Sequence, residues 1–194
     1  MTMTEPPAKR APAPGGLSVV QEFVNSVEMP DGDDQLADVE GTNAWLAGHG
    51  FTASAGEPQR RRLVETRELL RILLAVSGGQ SFPDDVAARL ARLLDAAAIH
   101  PVVNSEGVYL ASSAVGVDGF LATILAALVQ ATIDGTLRRL KVCRRDACRW
   151  AFYDSSKNGC STWCSMRVCG SRAKAKAYRA RHRVDGDASA VDLA

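Results

Sequence analysis

Residues 143–181 read CRRDACRWAFYDSSKNGCSTWCSMRVCGSRAKAKAYRAR, and the reading of this stretch decides the fold of the C-terminal part of the chain. All five cysteines of the 194-residue sequence fall between Cys143 and Cys169. Four form two pairs of equal spacing, Cys143–Cys148 and Cys164–Cys169, with the span from Arg149 to Trp163 between the pairs. Two short thiolate pairs joined by a span long enough to fold back suit a tetrahedral Zn²⁺ ion. Between them, CRWAFYD alternates Trp150 and Phe152 with Ala151 and Tyr153, as a strand does. LRRLKVC and RWAFYD thus predict a β-hairpin with the first pair at its knuckle. The second pair opens a helix from about Gly170 to Arg183, a treble-clef-like arrangement. Disulfides, suited to a secreted chain, and unrelated buried thiols are the competing readings. Cys160, in the loop SSKNGCSTW, reads as a free thiol. An alternate ligand and a redox-sensing thiol are its rival readings.

Four thiolate ligands leave no open coordination position, so such a site is structural. It also supplies what the segment lacks. Apart from Trp150, Phe152, Tyr153 and Trp163, residues 138–183 have few large apolar side chains. A unit that small needs a metal or disulfides to fold.

The charge is as uneven as the sulfur. Residues 1–137 carry 9 Lys/Arg against 17 Asp/Glu, residues 138–183 carry 14 against 2, and residues 184–194 carry none against 3. The formal net charge of +1 therefore hides a strongly acidic unit and a strongly basic one. Some of the cations offset the roughly −2 of a Zn(Cys)₄ centre. The rest fall on the predicted helix. Arg172, Lys176, Arg179 and Arg183 recur at helical spacing on one face, and Lys174 and Arg181 form a second row. Ala173, Ala177 and Ala180 make a small-residue face expected to lie against the zinc knuckle, and Tyr178 is free to pack or stack. Cations without acids from Arg172 to Arg183 suit phosphates of nucleic acid. A solvated face that keeps the protein soluble is the plain alternative. A membrane surface is disfavoured, because the helix has no large apolar face.

Upstream, the pattern is helical. Residues 1–16 read as a disordered Pro/Ala/Gly leader without a secretory apolar core. Helices are predicted over 17–27, about 35–47, 57–76, 83–97 and about 118–137, with EMPDGDD and SGGQS as breaks. In the third, Leu63, Thr66, Leu70, Leu73 and Leu74 make the apolar stripe, and Arg60, Arg61, Arg67 and Arg71 are expected to point mostly elsewhere. In the fourth, Val86, Leu90, Leu93 and Ala97 form the stripe. PVVNSEGVYLA predicts a β-hairpin turning at Asn104–Gly107. The apolar run from Gly119 to Ile133 falls short of a membrane span and reads as a core helix of a cytoplasmic protein. The fold class is therefore a mainly α N-terminal domain (17–137) with a short β-hairpin, then a four-cysteine zinc finger (138–183) and an acidic tail (184–194).

These residues resemble a known family. The CGNR-type zinc finger of bacterial proteins has a first cysteine pair, a W-x-F-x-D-x-S strand and then WCSM..CGNR.K. Trp150, Phe152, Asp154, Ser156, Trp163 to Met166, Cys169, Gly170, Arg172 and Lys174 match it. The family's N-terminal ABATE domain is similar to EFVNSVE, DQLADVEGTNAWLAGHG and the segment leading into LRRLKVC. The resemblance implies that Cys143, Cys148, Cys164 and Cys169 bind one structural Zn²⁺ and that the finger contacts DNA through Arg172, Lys174, Lys176, Arg179, Arg181 and Arg183. Ser171 stands where the family has Asn, and Ser161–Thr162 where it has a basic pair.

The reading that results is a transcriptional regulator whose N-terminal domain senses a small-molecule effector or forms a homodimer. The alternative is a zinc-stapled protein–protein module whose basic face docks an acidic partner, including the acidic domain of a second copy. No P-loop, G-x-S-x-G, H-E-x-x-H or G-x-G-x-x-G occurs, and His49, His100 and His182 lie far apart, so no catalytic residue is assigned. Trp45, Phe51 and Tyr109 are candidates to line an effector pocket or to serve as core. SGGQS reads as a turn rather than a phosphate loop.

Overall fold

Apolar residues at helical spacing fold the first two-thirds of the chain into five helices. The computed structural model describes residues 12–29, 32–52, 54–76, 83–105 and 107–188, the side chains of 183–188 excepted. Residues 1–11 of the leader, the SGGQS loop, residues 189–194 of the tail and the Arg183 side chain lie outside the described residues. Helix α1 (Leu17–Val24) buries Val20, Phe23 and Val24. Helix α2 (Val39–Gly48) starts later than the spacing predicts. Asp34 Oδ1 takes the Leu36 N–H. Asp38 then caps the helix by accepting the Gly41 N–H at 2.7 Å. Helix α3 (Glu57–Val76) has the predicted bounds, and α4 (Asp84–Ala97) follows Pro83 with Asp84 and Asp85 in its first turn. Helix α5 (Gly116–Ile133) stops short of the expected end, because Gly135 takes a left-handed φ of 68° and turns the chain.

Two small antiparallel pairs join the helices. The acidic turn holds strands β1 (Val27–Glu28) and β2 (Asp33–Asp34), which the sequence reading leaves as a plain turn. Strands β3 (His100–Asn104) and β4 (Gly107–Ala111) pair from His100↔Ala111 to Asn104↔Gly107, the predicted hairpin. His100 thus opens strand β3. His49 caps α2 and stacks on Trp45 with ring centroids 3.8 Å apart.

Helix α5 centres the core. Phe120 meets the rings of Phe23, Trp45 and Phe51 edge-on at 5.0, 5.5 and 5.0 Å, the arrangement favoured by ring quadrupoles. Trp45 is therefore core. At 18 residues and a mean hydropathy of 1.6, α5 is long and apolar enough to cross a bilayer, contrary to the reading of its run as too short. Its Phe120, Leu121, Ile124 and Leu125 are instead buried among the other helices.

Three expectations are corrected by burial. Residues 12–16 are not a loose leader, since Ala13 sits in the core and its N–H bonds Gln21 Oε1 at 2.7 Å. Arg67 and Arg71 do not point outward; they are 3% and 2% exposed. Arg67 forks onto Asp34 at 2.6 and 2.9 Å, and Arg71 donates to the Val24 and Arg149 carbonyls. A buried guanidinium survives only when its donors are satisfied, as these are. Burial lowers the Arg67 pKa but the Asp34 carboxylate raises it further, while Arg67 holds Asp34 below the usual carboxylate range against its own burial.

The third correction concerns the predicted basic unit. Its hairpin, β5 (Leu140–Val142) and β6 (Ala151–Tyr153), is antiparallel as expected, with Lys141 opposite Phe152. Leu140, Val142 and Ala151, however, belong to the same core as α3 and α5. Asn25 clamps Ala151 through both backbone groups, at 2.8 and 2.9 Å. The finger therefore does not rest on its metal alone; one face of its hairpin is part of the helical core.

Candidate metal centre and basic helix

Strand alternation sets up the centre. With Ala151 and Tyr153 turned to the helical core, Phe152 faces the other way and packs with Trp150 against Cys143, Cys164 and Cys169. The first knuckle closes through Cys148 N–H to Arg145 carbonyl at 2.8 Å and Cys143 N–H to Trp150 carbonyl at 2.9 Å. Arg149 leaves it in a left-handed conformation, φ 46°, which costs an L-residue about 1–2 kcal/mol. Arg71 holds the Arg149 carbonyl at 2.9 Å and so fixes that turn to α3. The second knuckle is a π-helical turn, Met166–Gly170, opened by Ser165, whose hydroxyl accepts the Val168 N–H. A Cβ on Gly170 would meet Met166 Sδ at 2.5 Å, the end of an exposed side chain that can move aside, and Trp163 Cδ1 at 3.3 Å, where the ring would have to give by a few tenths of an ångström.

The knuckles bring the sulfurs of Cys143, Cys148, Cys164 and Cys169 within 4.8 Å of one another. The Cys148–Cys164 and Cys164–Cys169 separations are 3.3 and 3.5 Å, and no disulfide joins any of the four, whose convergence on one point suits a metal ion. Zn–S bonds of about 2.3 Å in a tetrahedron require sulfurs about 3.8 Å apart. The donor set fits one such ion. Its electrostatics fit too. Donation from Cys148 and Cys164 holds the Cys143 thiol far below its usual range, and the N–H groups of Cys164 and Arg145 reinforce this. The same crowding pushes Cys148 and Cys164 up. A divalent ion takes such cysteines as thiolates and releases their protons. When bound, Zn²⁺ supplies a crosslink between the two knuckles, with no coordination position left for chemistry.

Cys160 is exposed and lies outside this cluster. It borders a groove shared with Arg138, Lys141 and Arg144, a grouping that the sequence does not announce.

A polar network missed by spacing arguments holds the loop between the knuckles. Asp154, 2% exposed, accepts from Lys141 Nζ at 2.8 Å, from the Ser161 N–H at 2.8 Å and from the Ser156 N–H at 3.1 Å. Burial pushes its carboxyl up, but the Lys141 ammonium and the two serines hold it well below the usual range. Arg139 adds bonds to the Asp154 and Ser156 carbonyls at 2.9 and 2.8 Å. The signal available in sequence is Asp154 itself, within the W-x-F-x-D-x-S strand.

Helix α6 (Ser171–Ala188) continues straight from the π-turn and outruns the predicted end at Arg183. Arg172, Lys174, Lys176, Arg179 and Arg181 are all exposed on it. The expected alanine contact with the zinc knuckle is not made: Ala177 and Ala180 are exposed, and Ala173 is half-buried. Three methyl groups offer too little apolar area to draw a cationic helix down onto the finger. Tyr178, 58% exposed, does not pack on the core but meets the His182 ring at 4.2 Å.

Comparison with known families agrees with this architecture in order along the chain. The model of the CGNR zinc finger family matches residues 139–182. The ABATE model, described as "Putative stress-induced transcription regulator", matches residues 17–136. No curated protein matches the chain.

Proposed function

Because this chain belongs to the ABATE family and carries a CGNR zinc finger, we propose that it is a DNA-binding transcriptional regulator. The zinc centre anchors α6 at one end, and Arg172, Lys174, Lys176, Arg179, Arg181 and Arg183 contact duplex phosphates. The observation that carries the reading is the state of α6: residues 171–182 hold five cations and no acid, and all but Ala173 are exposed. A helix with this surface is narrow enough for the major groove. Tyr178 and His182 form an exposed aromatic pair between the cationic rows. The helical ABATE segment serves as the effector-binding or dimerising part.

A second reading is favoured by the charge split. An acidic surface, including residues 1–137 of another copy, would also complement α6. Fluorescence anisotropy of the zinc-loaded chain on a random-sequence duplex at low salt tests the two. Arg179→Glu/Arg183→Glu is expected to weaken binding at least tenfold, since giving up one phosphate partner near 0.1 M salt costs roughly eightfold. Failure of the intact protein to bind any duplex at low salt, with self-association lost in the same variant, would favour the docking module.

A further inference from the structure

We infer that a groove on the ABATE segment is a binding site for a small organic amine with an apolar body. The inference rests on the reading of that segment as the effector-binding part. The groove runs along α5 between the Pro14–Leu17 turn and strand β4, and has a volume of about 790 Å³. That is within the roughly 300–1,000 Å³ of small-molecule pockets.

Its floor is smooth because Ala122, Ala126 and Ala127 present only methyl groups, and its rim carries the rings of Phe51 and Tyr109. The N-terminal wall approaches closely: a Cβ on Gly16 would stand 2.9 Å from Ala127 Cβ. One end is polar, with Gln130, Asp134 and Thr136. Among the described residues, the groove is lined by no Lys, Arg or His, and Asp134 supplies its one carboxylate. Asp134 Oδ1 accepts from Gln130 Nε2 at 3.0 Å, and none of the ion pairs among the described residues includes it. Asp134 is exposed at the open end of the groove, and as the one charge on its described lining it repels carboxylates and phosphates. The groove favours an ammonium set at Asp134, with the ligand body over the alanine floor and against the aromatic rim.

Both walls lead to the finger. The Asp134–Thr136 end runs into Leu137–Arg139, and Arg139 grips the Asp154 and Ser156 carbonyls. The Pro14–Leu17 wall continues into α1, where Gln21 and Asn25 reach the Ala151 carbonyl of β6 at 3.4 and 2.9 Å. A ligand that changes the spacing of the walls acts on both strands of the hairpin that carries the zinc knuckle.

The test titrates the zinc-loaded full chain with 2-phenylethylamine and, separately, 3-phenylpropionate, following the backbone amides of Ala126, Ala127 and Thr136 by NMR. The amine is expected to shift them saturably and the carboxylate to leave them in place. Asp134→Asn should weaken the amine by up to about fivefold, the order for one exposed ion pair. Asparagine is well suited to a helix C-terminus, so the fold should hold. Ala126→Trp should abolish binding by filling the floor. Equal binding of both probes, indifference to both substitutions, or no shift at millimolar amine would overturn the inference. DNA affinity measured in the same samples separates the two readings. DNA binding with no amine binding sinks the groove and leaves the regulator. Amine binding that leaves DNA affinity unchanged sinks the effector role and leaves the groove.

Discussion

Arg71→Ala tests whether the finger and the helical segment are one folded body. The guanidinium is 2% exposed and donates to two main-chain carbonyls, one ending α1 (Val24) and one leaving the first zinc knuckle (Arg149). Each carbonyl left buried without a donor costs about 1–3 kcal/mol. The exposed side of the pair with Glu68 adds under about 1 kcal/mol. The sum is about 4 kcal/mol, a large share of the roughly 5–15 kcal/mol that holds a domain folded. For a chain of this size that lowers the melting temperature by roughly 8–16 °C. The assay is urea unfolding read two ways, by far-UV circular dichroism for the helices and by a chromophoric chelator for zinc release. Both midpoints should fall together, with Arg71→Lys intermediate, because Leu140, Val142 and Ala151 belong to the helical core. Zinc release at lower urea with an unchanged helical midpoint would refute the reasoning.

Three further outcomes follow from the same contacts. Cys169→Ser should abolish stoichiometric zinc binding, whereas Cys160→Ser should leave both zinc content and melting temperature within error, as measured by metal analysis and calorimetry. Asp154 gives a pH signature. Its folded pKa lies below its unfolded value of roughly 3.9, so the stability it contributes is complete above that value and is lost as pH falls through the folded pKa. Acid titration followed by tryptophan fluorescence should show Asp154→Asn less stable than wild type at pH 7, with the gap closing below about pH 4. Helix α6 should gain ellipticity at 222 nm on adding duplex DNA: Arg172/Lys176 and Arg179/Arg183 repel at i,i+4, residues 171–182 bury nothing large, and isolated helices of this length are marginal.

Much of this is legible in sequence where local chemistry decides the outcome. The paired cysteines, the alternation around Phe152 and the Leu63–Leu74 stripe each state a geometry that the fold keeps. Arg67 and Arg71 defeat the same kind of reading, because charge by itself implies exposure. Their spacing from Leu63, Leu70 and Leu74 places them on the buried face, and only the distant Asp34, Val24 and Arg149 explain why they are tolerated there. The sharing of β5–β6 with the helical core is hidden for a similar reason, since it depends on Gln21 and Asn25 of α1 and its C-cap meeting Ala151 from the far end of the chain. The alanine face of α6 misleads in the opposite direction: small residues permit a close contact without requiring one.

The central claim is that the zinc-anchored α6 engages duplex phosphates, and the salt dependence of DNA affinity tests it most directly. With five or six cations in contact, log K against log salt should have a slope of roughly −4.5 to −5.5, made less negative by about 2 in Arg179→Glu/Arg183→Glu. A slope near zero, or one that the substitutions leave unchanged, would contradict the account.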